Sequence, residues 1–253
     1  MQRIIHRIEA LAEAESNNPL FLWLGDESVP ARERMATCAQ QTAFFAMGFS
    51  DLNRFAYPYP EVEARTDPRK MAINRHAQED GGHWRYFLSD LKRLGVGDNY
   101  DFRRTLAFLW GSDCQEQRRA IYRISQLVDR NDSPLYRYAI MECIEIFGKL
   151  LLERATAVAT KLHRETATEL VFFGPFHLAL ETGHLVNQTD ETDSELWAVE
   201  LDPELLSRTM AVVEEVCTLL AGQWAEVGTH ARATRASLQR SAGVVSPPVA
   251  RTP

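Results

Sequence analysis

The sequence predicts an all-α protein. Apolar residues recur with a period of about 3.6 residues in nearly every patterned segment, as they do on helices that bury one face. No alternation of valine, isoleucine and threonine is long enough for a strand. The 253 residues suffice for one domain that buries a full core without disulfides or a structural metal, so a metal site in this chain would serve function.

The helix boundaries are predicted from proline and glycine. Proline takes a first helical position at Asp67-Pro68, Ser133-Pro134 and Asp202-Pro203, and Gly95 and Gly228 are predicted stops. The predicted helices are residues 2–15, 30–48, 68–95, 100–109, 115–130, 134–164, 166–186 and 203–228.

Residues 1–240 are predicted to form a single helical domain. The connectors at 17–19, 57–60 and 95–99, and the acidic one at 187–195, do not resemble domain boundaries. From Ser241 onward the sequence loses its periodicity and becomes rich in proline, so residues 241–253 are predicted to be a disordered tail.

Composition argues against several partners. The net charge is −7 and no basic run is clustered, so neither nucleic acid nor an anionic membrane is an expected partner. No apolar run reaches the roughly 18 residues of a membrane helix, and the N-terminus lacks the apolar core of a secretory signal. The four cysteines are widely spaced, which is typical of reduced thiols in a cytoplasmic protein.

Three potential metal ligands share one face of the apolar segment 172–186. At about 100° per residue, His177, Glu181 and His184 fall within roughly 60° of one another. The rest of this segment is mostly Phe, Leu, Ala and Val, so the three side chains are expected to be buried and to need a neutralising partner. The alternative is a hydrogen-bonded set of core histidines.

A second set lies on the predicted helix 68–95. His76, Glu79 and His83 are spaced to share one face, although this segment is rich in charge and exposure of these side chains is an equal alternative. The pair Gly81-Gly82 interrupts the helical pattern, which costs about 1 kcal/mol per glycine and indicates a bulge or a close approach.

A third contribution is expected from Glu142 or Glu145 on the helix 134–164. Glu142 is favoured because Met141 and Cys143 flank it, and a solvated Glu–Lys edge is the alternative. Imidazole and carboxylate ligands without cysteine favour iron or manganese, and the number of ligands fits two ions better than one.

These segments resemble the haem-oxygenase-like di-iron oxidases and oxygenases, seven-helix proteins that bind non-haem iron. Their late core helix carries His-x₃-Asp/Glu-x₂-His, which here is His177, Glu181 and His184. Their early Glu-x₆-His pair and a lone middle Glu are similar to the segments at His83 and Glu142. The resemblance covers residues 68–186 and implies a haem-oxygenase-like bundle of about seven to eight helices.

One position departs from the family pattern, because His76 stands where the family has glutamate. Either Glu79 supplies the carboxylate from the next turn or His76 itself is a ligand. The resemblance therefore implies two ferrous ions held by a ligand set without further catalytic residues. The implied metal ligands are His76, Glu79, His83, Glu142, His177, Glu181 and His184.

The resemblance implies an enzyme that activates O₂ and oxidises a small organic substrate, by N-oxygenation, desaturation, C–C cleavage or decarboxylation. An external electron donor and a homodimer are compatible with it. The aromatic side chains around the ligands are expected to exclude water or to be ordinary core. They are Trp84, Phe87, Phe172, Phe173 and Phe176.

Four alternatives stay open. A ferritin-like protein would use Glu181 and His184 but needs that motif on two helices. A cofactor-free or thiaminase-like enzyme of the same fold would use the same histidines and glutamates as substrate contacts. A haem oxygenase would need one axial histidine, for which His6 is the candidate. A helical binding protein without catalysis would need none of them.

Overall fold

The chain forms helices throughout the part that is described. The computed structural model describes residues 1–97, 101–186 and 199–243, with side chains through residue 180 in the second range and through residue 237 in the third. Helices α1 to α12 are Gln2–Ala14, Pro19–Leu24, Ala31–Gln41, Ala43–Asp51, Glu61–Ala64, Pro68–Asp80, Trp84–Leu94, Phe102–Trp110, Gln115–Val128, Pro134–Thr166, Pro175–Val186 and Pro203–Gly243. These ranges contain no strand, so the all-α prediction is confirmed for them.

Side-chain caps start several of these helices. Asn18 accepts a hydrogen bond from the Leu20 N–H at the start of α2, and Asp67 accepts one from the Arg69 N–H at the start of α6. Asp202 accepts from the Glu204 and Leu205 N–H groups at the start of α12. Each carboxylate or amide oxygen satisfies a donor that the first helical turn leaves free.

Two predicted long helices are broken. The predicted helix 30–48 is divided at Thr42, whose hydroxyl bonds the Cys38 carbonyl oxygen at 2.8 Å and competes with the helical ladder. The predicted helix 68–95 ends at Asp80 and restarts at Trp84 after the Gly81-Gly82 turn. A Cβ at Gly81 would lie 3.0 Å from the Ala77 carbonyl oxygen, so glycine suits the tight turn.

The predicted helix 166–186 begins later than expected. Helix α10 ends at Thr166, Ala167 takes a left-handed conformation with φ 54°, and a loop leads to Pro175, where α11 begins. The sequence prediction overlooked Pro175 as an N-terminal signal. It also missed the short helix α2, which fills the interval between two predicted helices.

Helix α12 continues beyond its predicted stop at Gly228. That glycine lies where the start of α2 crosses α12, because a Cβ there would come within 2.1 Å of the Pro19 backbone. Gly228 therefore permits close helix packing and does not end the helix. The structure continues α12 to Gly243, so the predicted tail begins inside this helix and its remainder lies outside the described residues.

Helices α10 and α12 form the centre of the bundle. Helix α12 packs against α1, α2, α9 and α10, and α10 also contacts α3, α6 and α11. Trp224 of α12 lies between Phe21 and Phe147, with ring centroids 4.9 Å from each. One continuous hydrophobic core joins residues from Met1 to Ala231, and α6 and α11 approach α10 from its sides.

The described helices include none that is both long enough and apolar enough to cross a membrane. The acidic connector 187–195 lies outside the described residues, as does the last part of the predicted connector 95–99. The four cysteines, Cys38, Cys114, Cys143 and Cys217, are buried.

Candidate metal centre

Three potential ligands meet between α6 and α10. The His76 Nε2 atom lies 2.9 Å from Asp80 Oδ2 and 3.3 Å from Glu145 Oε1, and donor atoms of all three residues lie within 4.8 Å of one another. Asp80 and Glu145 are only 2% and 8% exposed, whereas His76 is half-buried. Two carboxylates in so dry a place require a cationic partner.

Asp80 also faces a second pair of histidines. Its Oδ1 atom lies 3.9 Å from Nδ1 of His83, which is itself 3.1 Å from Nε2 of His177. The two oxygens of one buried carboxylate thus face different imidazoles, His76 on one side and His83 on the other. Asp80 could therefore help to hold a metal ion together with the imidazole on either side.

The protonation of His177 follows from its backbone contact. Its Nδ1 atom lies 2.8 Å from the carbonyl oxygen of Phe172. Because a carbonyl oxygen only accepts, Nδ1 carries a proton, and in a neutral imidazole this is the tautomer whose Nε2 lone pair faces His83. A histidine fixed in this way is already in the tautomer that binds a metal through Nε2.

Asp90 of α7 holds the loop that leads into α11. Its two oxygens accept hydrogen bonds from Val171 N–H at 2.7 Å and Phe173 N–H at 3.0 Å, and the side chain is fully buried. Burial raises the pKa of Asp90, while the backbone N–H groups lower it in part. This contact fixes Phe172, whose carbonyl oxygen orients His177.

The charges of the carboxylates favour a protonated His76. Burial lowers the pKa of His76, but Asp80 and Glu145 raise it more, so this pKa lies well above the ordinary value. An imidazolium at His76 would offset one of the two carboxylate charges when no metal is bound. A metal ion would displace that proton.

The structure brings together some of the predicted ligands and not others. His83 and His177 lie 3.1 Å apart, and Asp80 lies near both His76 and His83. Glu145 is the α10 carboxylate next to His76, whereas the sequence favoured Glu142. Glu142 is buried too, so the two glutamates do not form a solvated edge. Glu79 is exposed, because it lies on the outer face of α6. The side chains of Glu181 and His184 lie outside the described residues, although both positions belong to α11.

Asp80 was not among the predicted ligands, because the charge of its segment favoured exposure to solvent. Asp80 lies on the inner stripe of α6 with Ile73 and Ala77, at spacings of four and three residues, and all three are buried. This register was the signal that could have identified it.

Tyr57, placed by the sequence in a connector, is also buried near the ligands. It follows the π-helical turn Leu52–Ala56, and its carbonyl oxygen accepts a hydrogen bond from Arg137 at 2.7 Å. Its hydroxyl has no hydrogen-bond partner among the described residues. Burial, followed by the charges of Glu145 and Asp80, raises the pKa of Tyr57 well above its usual value.

An apolar cavity of about 90 Å³ adjoins the ligands, and His83, Glu145 and His177 form part of its lining. Phe172 and Phe173 belong to this lining, which is one of the two roles that the sequence allowed for them, and Phe87 packs against Phe172. Other aromatic lining residues are Phe45, Phe49, Phe147 and Trp224.

Two of the predicted wall residues lie elsewhere. Phe176 is 53% exposed and contacts the edge of Tyr86, while Trp84 is half-buried and stacks on Arg85. His6, the candidate haem ligand, is exposed on α1.

No family model matches this chain, and no curated protein is significantly similar to it in sequence. The donor set of His76, Asp80 and Glu145 contains nitrogen and oxygen but no sulfur, which is compatible with several divalent ions, iron and manganese among them. Ligands of one ion bound at about 2.0–2.2 Å lie at most about 4.4 Å apart, so the distances of 2.9 and 3.3 Å are compatible with a shared ion.

Proposed function

We propose that this chain is a non-haem di-iron oxidase or oxygenase that uses O₂ to oxidise a small organic substrate. The observation that carries the proposal is the position of Asp80, whose two buried oxygens face His76 and His83 separately. Asp80 would therefore be within reach of a metal held with His76 and of a metal held with His83, and an apolar cavity adjoins these residues.

The ligands divide into two groups around Asp80. His76 and Glu145 would hold one ion with Asp80, and His83 and His177 would hold the other. Glu142, Glu181 and His184 are the remaining ligands that the sequence pattern suggests. The haem-oxygenase-like fold is part of this proposal, and so are cytoplasmic localisation, an external electron donor and a homodimer.

When bound, two ferrous ions would supply electrons to O₂. The chain's own residues would bind and orient the metal and protect the site. The Phe172 carbonyl oxygen keeps the proton of His177 on Nδ1, and Asp90 holds that loop in place. Phe172 and Phe173 exclude water from the ligands, which protects reactive species from side reactions. The reaction would be N-oxygenation, desaturation, C–C cleavage or decarboxylation.

The test is iron binding by the full chain and by two matched variants. Wild type is loaded with Fe(II) without oxygen, bound iron is counted, and the visible absorption is followed after O₂ is added. We expect about two irons per chain. Asp80→Asn should lower iron affinity at least about 10-fold, because it removes the shared charge. Glu79→Gln, one residue away and exposed, should bind iron like wild type.

Two outcomes would contradict the proposal. One is wild-type protein with no iron above background. The other is Asp80→Asn protein that binds iron as tightly as wild type, since the proposal depends on that carboxylate.

A cofactor-free enzyme of the same general fold is the second candidate. The observation in its favour is that His76 already lies 2.9 Å from one carboxylate and 3.3 Å from the other, which is hydrogen-bonding distance without a metal. In that case these groups would transfer protons to a bound substrate. Activity that survives complete chelation and depends on His76 would favour this candidate.

A further inference from the structure

The cavity beside the candidate ligands has one polar side chain, Gln223, whose buried oxygen lacks a hydrogen-bond partner among the described residues. Gln223 of α12 lines the cavity and is 2% exposed. Its Oε1 atom is buried and has no hydrogen-bond partner among the described residues. Thr42 also lines the cavity, but its hydroxyl already bonds the Cys38 carbonyl oxygen. Burial of a carboxamide oxygen without a hydrogen bond is unfavourable, unless a bound ligand donates one to it.

The charge of the lining is confined to the proposed metal ligands. The cavity lining among the described residues contains no lysine or arginine, and its acidic group is Glu145. A charged group placed against the aromatic walls would lose its hydration without gaining an ion pair. A charged group of a bound molecule would therefore have to lie against the proposed metal ligands and not against the aromatic walls.

We propose that this cavity binds a small, uncharged and largely apolar substrate whose single neutral hydroxyl or N–H group donates a hydrogen bond to Gln223. This inference rests on the proposed function, because it places the oxidised position near His83, Glu145 and His177. It assigns Gln223 as the specificity-determining residue. It also excludes nucleotides, sugars and free amino acids as substrates, because their polar groups exceed what one carboxamide can satisfy. Of the four proposed reactions it removes decarboxylation, because that reaction needs a charged substrate carboxylate.

Two glycines provide a matched steric test. Gly148 of α10 lines the cavity, and Gly222 of α12 does not. A Cβ at either position has open space around it, and both glycines are half-buried in helices. Gly148→Leu should therefore fill the cavity, and Gly222→Leu controls for the same substitution in a neighbouring helix.

The experiment compares toluene with 4-methylphenol, which differs by one hydroxyl group. Their binding to the chelator-treated full chain is measured by calorimetry, so the result does not depend on iron or O₂. On wild type we expect 4-methylphenol to bind at least as tightly as toluene. In Gln223→Leu the hydroxyl would be buried without a partner, so the affinity ratio should shift toward toluene by at least about 10-fold.

Gly148→Leu should abolish binding of both probes, and Gly222→Leu should bind them like wild type. An unchanged probe ratio in Gln223→Leu, undiminished binding in Gly148→Leu, or no binding of either probe to wild type would each overturn the inference. The iron-loading test is separate from the probe-binding test. If the protein binds iron but the probe results differ from those expected, the substrate inference is wrong. If the probes bind as expected but iron does not bind, the proposed function is wrong.

Discussion

Two segments contribute histidines to the candidate metal centre, and they differ in how well the sequence predicts that these histidines are buried. The segment entering α11 is apolar around His177, so burial of that histidine is expected from sequence. The α6–α7 segment is rich in charge, yet it supplies His76, Asp80 and His83. Burial in the α6–α7 segment therefore depends on which helix face packs against another helix and not on the overall charge of the segment. Helix α6 packs one face on α10 and exposes the other.

Removing one histidine from each segment should give the largest effects. We expect His76→Ala and His177→Ala each to lower Fe(II) affinity at least about 10-fold. In metal-free protein, His76→Ala should also lower the free energy of unfolding by about 1–3 kcal/mol, because Asp80 and Glu145 stay buried without their cation. Iron titration and urea unfolding measure the two effects.

The exposed His6 provides the control for these variants. His6→Ala should change neither iron affinity nor stability, because its side chain lies on the surface of α1. If His76→Ala bound iron like His6→Ala, the α6–α7 segment would not be part of the centre.

Asp90 holds the loop that leads into α11 and orients His177. We expect Asp90→Ala to lower the free energy of unfolding by about 2–4 kcal/mol, since the buried N–H groups of Val171 and Phe173 would lose their acceptor. Iron affinity should fall as well, because the loop that orients His177 would loosen. Unfolding curves of normal stability would contradict this role.

The same aspartate gives a pH prediction. The pKa of Asp90 is raised in the folded chain, so its unfolded counterpart ionises first as the pH rises. Its contribution to stability is therefore complete below the unfolded value of about 3.9 and falls as the pH rises through the raised folded value. The difference in unfolding free energy between wild type and Asp90→Asn should shrink over that interval. If the difference in unfolding free energy between wild type and Asp90→Asn grew with pH, the pKa of Asp90 would be lowered by folding and this prediction would be wrong.

The glycine pair between α6 and α7 should give a smaller effect. Gly82→Ala should raise the free energy of unfolding by about 0.4–1 kcal/mol, because a Cβ there meets its nearest neighbour at 3.6 Å and alanine restricts the unfolded chain. Gly81→Ala should bring no such gain, because its Cβ would lie 3.0 Å from the Ala77 carbonyl oxygen. Greater stabilisation by Gly81→Ala than by Gly82→Ala in urea unfolding would show that the turn is not tight.

A similarly small effect is expected at Tyr57, which is buried near Asp80 and Glu145. Tyr57→Phe should leave the stability of metal-free protein unchanged or raise it by about 0.5–1 kcal/mol, because the buried hydroxyl has no partner among the described residues. Tyr59→Phe is the matched control. It should lower stability by about 0.5–1.5 kcal/mol, since the Tyr59 hydroxyl donates to the Asp132 carbonyl oxygen at 3.0 Å. Equal effects in thermal unfolding would contradict this difference.

Local signals predicted much of the fold. Proline and capping residues located the starts of α6, α10 and α12, because these residues act within one helical turn. The break at Thr42 was harder to predict, because the predicted helix 30–48 continues across it. The pair Gly81-Gly82 indicated a bulge, but not that α6 ends there and α7 begins. The continuation of α12 past Gly228 depends on the crossing with α2, which is distant in the sequence.

The amino-acid sequence was enough to predict the helical class and to identify His76, His83 and His177 as candidate ligands without a cysteine. The packed structure was needed to show that Asp80 faces inward while Glu79 faces solvent, and that Glu145 is the carboxylate beside His76. Helical spacing defines which residues share a face. Burial of that face depends on packing with α10, which spacing within one helix does not specify.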